Sequence, residues 1–172
     1  NVPGDGSCFY HCIVGLVQNT PDVRDDFPDI TNADTARLRI ANEFLEKIRE
    51  DPSNYSTGEW RNYVKGDDFK QAARNYYYNI LPETMGGKGE WAGDLEFDLA
   101  SSLLQVTIHR FDQQDPKGQP VLVRSFVPPM PRTPRVQWQI VWTFGHFRYV
   151  RNVATPAATP AEPADTLKDV RK

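Results

Sequence analysis

The stretch AGDLEFDLASSLLQVTIHRF, residues 92–111, decides the fold because its apolar residues change their spacing partway along. Over residues 92–104 the leucines recur at helical spacing, which predicts a helix that buries one face. From Val106 to Phe111 apolar and polar residues alternate, which predicts a strand. The patterns before this stretch are helical and those after it are extended. This order predicts an α+β domain in which helices flank a small, largely antiparallel sheet.

The same two patterns, helical spacing and strand-like alternation, predict the remaining elements. A capping-box-like start at Thr31-x-x-Asp34 precedes the longest helix, and the polar, proline-containing residues 21–33 predict a loop. Helices are predicted over residues 8–19, 34–50, 57–65 and 67–79, and strands over 121–127, 136–144 and 147–150. A flexible turn at 86–89 and a stiff proline-rich connector at 128–134 separate these elements.

Length and composition predict one folded domain within a larger protein. The chain has 172 residues, of which 39% are hydrophobic and 25% are charged. From Ala154 onward Ala, Thr, Pro, Glu and Asp dominate, which predicts a disordered linker or tail over 154–172 and a folded, monomeric domain over 1–153. Lysines and arginines are scattered among acids and no long apolar run occurs, so we expect binding to neither nucleic acid nor a membrane.

The cysteine content predicts free thiols. Cys8 and Cys12 are the only cysteines and lie one helical turn apart, a spacing that suits a disulfide poorly. Free thiols are typical of a reducing compartment, which predicts a cytoplasmic protein. No zinc-ligand spacing is present, so we expect no metal.

The segment Asp5-Gly6-Ser7-Cys8 places a cysteine directly after a glycine turn and at the start of an apolar helix. Backbone N–H groups at a helix start favour negative charge, which suits both a thiolate and a developing oxyanion. A lone helical cysteine is more often a small core residue. The glycine turn favours a nucleophile at Cys8, whereas Cys12 lacks this context and is interpreted as buried packing.

Of the three histidines, His146 has the context of a general base, because it follows Gly145 at a strand junction between aromatic residues. A base and a nucleophile meet in the fold and not in the sequence. His11 lies one turn beyond Cys8, and its side chain is expected to be too far along the helix axis to reach the Cys8 sulfur. His109 lies within a strand, where a half-exposed sheet position is expected.

Several large residues have both structural and functional interpretations. Trp91 precedes the helix at 92–104 and is interpreted as holding it against the core, and Glu96 as satisfying a buried loop. Tyr76-Tyr77-Tyr78, with Trp60 and Tyr63, form a candidate partner surface, although aromatic residues at helical spacing are more often core.

Four segments, in order, resemble the motifs of the OTU (ovarian tumour) domain cysteine proteases, which remove ubiquitin from proteins. The nucleophile motif is DGSCFYH, and WAGDLEFDLA is similar to a second conserved block. The matching segments are residues 5–11, 91–100, 106–108 and 145–147. The resemblance covers about residues 3–150 and implies a papain-like fold and mechanism with neither a metal nor an organic cofactor.

The resemblance also implies roles for individual residues. By the matching positions, Cys8 is the nucleophile and His146 is the general base. The backbone amides around Asp5, Gly6 and Cys8 form the oxyanion hole in this interpretation. The positions expected to contact a glycine-ended substrate tail are Phe147, Gly145 and Trp91.

One position departs from the family pattern. OTU domains often have Asp or Asn two residues after the histidine, but this chain has Arg148, which cannot accept a hydrogen bond. Three explanations stay open: Asp5 orients the imidazole, Asn152 does so, or the enzyme works as a dyad or hardly at all. We favour Asp5.

The resemblance implies a deubiquitinating thiol isopeptidase that acts on ubiquitin, polyubiquitin or a ubiquitin-like modifier. One alternative is a polyprotein-processing cysteine protease from a viral or effector parent, which would act in the host cytosol. The other is a catalytically weak module that only binds ubiquitin, and Arg148 is the residue that motivates it.

Overall fold

The structure of the chain is a computed structural model that describes residues 6–51, 69–128 and 136–150. Five α-helices and one turn of 3₁₀-helix precede the strands in this part of the chain. The helices are α1 (Cys8–Gln18), α2 (Pro21–Asp26), α3 (Ala33–Glu50), α4 (Phe69–Ile80) and α5 (Asp94–Leu104), and the 3₁₀ turn is Glu83–Met85. The strands are β1 (Thr107–Asp112), β2 (Val121–Phe126), β3 (Gln137–Thr143) and β4 (His146–Val150).

The strands form one sheet in the order β2-β1-β3-β4. β1 pairs with β2 and β3 pairs with β4 in antiparallel register, while β1 and β3 are parallel. Phe144 and Gly145 form the two-residue loop between β3 and β4, with φ of 50° and 75°. Two positive φ values are the signature of a type I′ turn, whose twist matches that of the strands. The predicted α+β class with a largely antiparallel sheet and flanking helices is confirmed.

The core between α1, α5 and the sheet is aromatic. The ring of Phe97 in α5 lies 4.6 Å from the ring of Phe9 in α1 and 5.1 Å from that of Phe126 in β2. It also lies 5.4 Å from the ring of Phe147 in β4. These four buried rings therefore tie both helices to opposite edges of the sheet.

Four predicted helices are present with ends close to those expected, and two details of the prediction are wrong. Residues 21–26 form a short helix and not a loop, because Pro21 occupies the first turn, where its fixed φ suits a helix. The capping box of α3 uses Asn32 and Thr35 instead of Thr31 and Asp34.

Some predictions lie outside the described residues. These are the helix at 57–65, the tail at 154–172 and most of the connector at 128–134, together with the domain boundary at 153. No helix in the ranges that the structure describes is long and apolar enough to cross a membrane.

Candidate active site

Cys8 is the first residue of α1 and its side chain is buried, with 2% of its surface exposed. Gly6, two residues earlier, has φ of +79°, a value that favours glycine. Ser7 stands at the N-cap, but its side chain makes no capping hydrogen bond. Of the glycine turn predicted before the cysteine, the structure describes Gly6, whose backbone angle suits a turn, whereas Asp5 lies outside the described residues.

Strand β4 brings its first residues to Cys8. The backbone N–H of Phe147 donates to the Sγ of Cys8 at 3.4 Å, although the two residues are 139 positions apart in sequence. His146 is the neighbouring residue and begins β4 in a partly buried position. The structure thus places the segment with the predicted base next to the predicted nucleophile.

The predicted role of Phe147 needs a correction. Its ring is 5% exposed and packs edge-on against Phe9 and Phe97, so it belongs to the core and does not line a groove. Only the backbone amide of Phe147 faces the sulfur. The sequence alone could not show that the ring packs in the core while the backbone amide contacts the sulfur.

The turn before His146 is exposed and tightly bent. Phe144 has 71% of its surface exposed although its φ is positive, which is uncommon for a residue with a side chain. Gly145 has nothing within 4 Å of the position that a Cβ would occupy. The loop predicted to contact a substrate tail is therefore open on this side.

Trp91 lies over the glycine turn. A Cβ built on Gly6 would be 2.9 Å from the Nε1 of Trp91, so the indole is in direct contact with the nucleophile loop. The side chain is 62% exposed, so the prediction that it holds the following helix against the core is wrong. A cavity of about 670 Å³ adjoins Trp91 and is also lined by Tyr78, Lys88 and Glu96.

Glu96 has the structural role that the sequence suggested. Its carboxylate accepts hydrogen bonds from the backbone N–H of Gly93 and from the hydroxyl of Tyr76, both at 2.7 Å. Burial raises the pKa of Glu96 to about 7, against the lowering effect of these two bonds. Tyr76 is buried, so its assignment to a partner surface is wrong, whereas Tyr78 is exposed.

Arg148 acts only as a hydrogen-bond donor and so cannot accept a hydrogen bond from the imidazole. Its guanidinium donates to the Oε1 of Gln113 at 2.6 Å. The Nε2 of Gln113 in turn donates to the carbonyls of Pro116 and Gly118. The position two residues after His146 therefore supplies only a donor, and Asn152 lies outside the described residues.

The other cysteine and the strand histidine are structural. Both cysteines are free and buried, and burial raises the pKa of the Cys12 thiol, so that it stays protonated. The ring of His109 is 2.7 Å from the Oγ of Ser125 and 2.9 Å from the Oε1 of Gln137. It bridges three neighbouring strands, in agreement with the half-exposed sheet position predicted for it.

Sequence reasoning missed one residue beside the site, Arg37. It lies in α3 and is buried, and its guanidinium reaches the carbonyl of Gly6 and the hydroxyl of Ser7. The available signal was its helical spacing, because Arg37 falls on the same face as Ile40, Ala41 and Phe44, which are buried residues of α3.

Comparison with solved structures identifies the fold. The viral OTU domain protease from Farallon virus matches with a TM-score of 0.51 and 21% identity, over 87% of this chain and 82% of that one. The viral OTU domain protease from Dera Ghazi Khan virus matches with a TM-score of 0.51 and 17% identity, over 87% of this chain and 76% of that one. An OTU deubiquitinase from Wolbachia pipientis wMel, solved bound to ubiquitin, has a TM-score of 0.50 and 16% identity, over 88% of this chain and 93% of that one.

Neither a protein-family model nor a curated protein sequence matches the chain. The similarity to these solved structures therefore lies in the fold, since the sequences are only 16–21% identical. They show that this chain has the fold of OTU domains, as the four sequence motifs implied.

Proposed function

We propose that the protein is a thiol-dependent deubiquitinase that hydrolyses the bond after the C-terminal glycine of ubiquitin. The observation that carries this proposal is the hydrogen bond from the Phe147 amide to the Cys8 sulfur, because it brings the segment with His146 to the start of α1. The OTU fold supports it, and so does the ubiquitin-bound Wolbachia relative.

In the proposed mechanism, the His146 imidazole takes the proton of the Cys8 thiol and the sulfur attacks the glycine carbonyl carbon. Backbone N–H groups of Asp5, Gly6 and Cys8 stabilise the negative charge that develops on the carbonyl oxygen. Collapse of this intermediate breaks the C–N bond, and the imidazolium gives its proton to the leaving lysine amine. Water, deprotonated by His146, then hydrolyses the thioester and restores the thiol.

The substrate tail is proposed to run between Trp91 and the Phe144–Gly145 loop. Trp91 contacts the nucleophile loop and remains exposed. The loop is open and precedes His146 directly. A glycine-ended tail needs little width, and an aromatic face on one side excludes water from the thioester.

Asp5 is the residue that we propose to orient the imidazole, since Arg148 donates to Gln113 and supplies no acceptor. An acceptor fixes the tautomer of the ring, so its loss slows turnover without removing the nucleophile. Asp5→Ala should therefore lower kcat, whereas Arg148→Ala should leave it unchanged. Equal activity of Asp5→Ala and wild type would assign the orienting role elsewhere.

A ubiquitin with a C-terminal electrophile tests the proposal directly. We expect one covalent adduct with the native protein, detected by mass spectrometry, and none with Cys8→Ala. Cys12→Ala is the matched control and should still form the adduct, because burial keeps the Cys12 thiol protonated. An adduct that survives Cys8→Ala, or no adduct with the wild type, contradicts the proposal.

The Arg148–Gln113 bond favours a second candidate, a module that binds ubiquitin without hydrolysing it. Calorimetry separates the two functions. Binding of ubiquitin with no cleavage of ubiquitin chains over many hours would favour the binding module. For either function we propose the cytosol as the place of action, since both cysteines are free thiols.

A further inference from the structure

The Arg37 side chain is 1% exposed and lies at the centre of a polar cluster beneath the nucleophile loop. Its Nη2 donates to the Gly6 carbonyl at 3.2 Å and to the Ser7 hydroxyl at 3.0 Å, and its Nε donates to that hydroxyl at 3.2 Å. The guanidinium carbon also lies 4.1 Å from the centre of the Tyr10 ring in α1. One side chain thus contacts the turn before Cys8 and the helix that follows it.

The same guanidinium holds the segment that leads to Trp91. Its Nη1 donates to the carbonyls of Ile80 and Glu90, at 3.1 and 2.8 Å, and its Nη2 donates to that of Gly89 at 3.1 Å. None of the ion pairs among the described residues includes Arg37. A buried charge without a carboxylate partner is costly unless carbonyl dipoles surround it, as they do here.

The contact with Ser7 changes the start of α1. Ser7 occupies the N-cap, where a serine side chain usually accepts from an N–H of the first turn. Here its hydroxyl accepts from Arg37 and caps nothing. The Ser7 hydroxyl therefore accepts from Arg37 instead of from the N–H groups of the first turn of α1.

The contact with Gly6 fixes a peptide plane. A trans peptide directs its C=O and its N–H to opposite sides. Because the Gly6 carbonyl is drawn to Arg37, the Ser7 N–H is directed away from α3. The same turn has a left-handed φ at Gly6 and is in contact with the indole of Trp91.

We infer that Arg37 is a positioning residue for catalysis, which holds the Gly6–Ser7 peptide so that the amides around Cys8 meet the oxyanion of the tetrahedral intermediate. This inference rests on the proposed thiol hydrolase. Arg37 acts through the nucleophile loop and touches neither the substrate nor the reacting atoms. A lysine cannot replace it, because a planar fork of five donors reaches five acceptor groups and an ammonium has only three donors.

Arg37→Lys tests the inference, with Arg49→Lys as the matched control, since Arg49 is exposed on the same helix. Turnover is measured on a fluorogenic amide of ubiquitin, and thiol reactivity is measured by alkylation of Cys8 with iodoacetamide. We expect kcat to fall on the order of 10²-fold in Arg37→Lys, the effect of losing one oxyanion donor, with KM unchanged. Alkylation forms no oxyanion, so its rate should equal that of the wild type.

A parallel fall in kcat and in alkylation rate would make Arg37 a general support of the fold and overturn the inference. An unchanged kcat would overturn it as well. If Arg37→Lys does not fold, Ser7→Ala takes its place, because it removes the hydroxyl that Arg37 holds and keeps the Gly6 carbonyl contact. A smaller fall in kcat is then expected, again with unchanged alkylation.

Amide hydrogen exchange gives a readout that needs no substrate. In Arg37→Lys the amides of Ser7 and Cys8 should exchange faster, while those of β2 (Val121–Phe126), at the far edge of the sheet, should not change. If the wild type does not cleave ubiquitin, the proposed function is wrong, but hydrogen exchange still tests whether Arg37 holds the nucleophile loop. Unchanged exchange at Ser7 in Arg37→Lys would overturn that role.

Discussion

The ring of Tyr149 in β4 lies against the Cα of Gly15 in α1, so closely that a Cβ on Gly15 would overlap the phenol. Only glycine permits this separation between the helix that carries Cys8 and the strand that carries His146. The contact lies along the same helix–strand interface as the Phe147 amide and the Cys8 sulfur. The spacing of the proposed catalytic pair thus depends on a glycine two turns away from it.

Gly15→Ala should therefore destabilise the protein, although alanine is the better helix former by about 1 kcal/mol. Overpacking a close interface costs about 1–3 kcal/mol, so we expect a net loss in the free energy of unfolding, measured in urea. Turnover should fall as β4 moves away from α1. In a Tyr149→Ala background the same change should cost less, and an equal cost in both backgrounds would contradict this explanation.

Gly6→Ala should lower turnover, whereas Gly86→Ala should not. The two glycines have φ of +79° and +82°, so each alanine adds backbone strain of about 1–2 kcal/mol. Only at Gly6 would the new Cβ meet another group, the Nε1 of Trp91 at 2.9 Å, whereas Gly86 has nothing within 4 Å. A fall in kcat for Gly6→Ala but not for Gly86→Ala would support this prediction, and equal kcat values would refute it.

His146→Ala should reduce kcat by about 10²–10⁴-fold, the usual contribution of a general base. The variant should keep its fold, because His146 is only partly buried and is the first residue of β4. His109→Ala is the control and should leave kcat unchanged, although it removes the bridge to Ser125 and Gln137 and with it some stability. If the two variants lose activity equally, His146 is not the base.

Local signals predicted the elements that carry the site. The start of α1 at Cys8 and the hairpin before His146 depend on neighbouring residues, a glycine turn and an alternating strand, so sequence sufficed for both. Helix α2 was missed because six residues are too few to show a helical period. The outcome agrees with the general rule that long periodic segments are the easiest to predict.

Long-range contacts could not be predicted. Arg37 contacts segments 30 to 53 positions away in sequence, and no local pattern reports which carbonyls will surround a buried guanidinium. Phe147 shows the same limit, because its motif marked the residue but not that the ring enters the core and the amide faces Cys8. Which atom of a residue acts is decided by packing.

Glu96 makes the stability of the protein depend on pH. Burial raises its pKa from the ordinary value of 4.5 to about 7 in the folded state. Between these values the unfolded chain has released the proton while the folded protein still holds it. The free energy of unfolding therefore falls as pH rises through this window and levels off above it.

Glu96→Gln should abolish that dependence. The amide oxygen can still accept from the Gly93 N–H, and the amide nitrogen can donate to the Tyr76 hydroxyl, so both contacts survive. Each pKa unit corresponds to about 1.4 kcal/mol. Between about pH 5 and about pH 8 the wild type should thus lose about 2–3 kcal/mol relative to the variant. Urea unfolding of both proteins at the two pH values measures this difference, and parallel pH profiles would mean that Glu96 is ionised in the folded protein throughout.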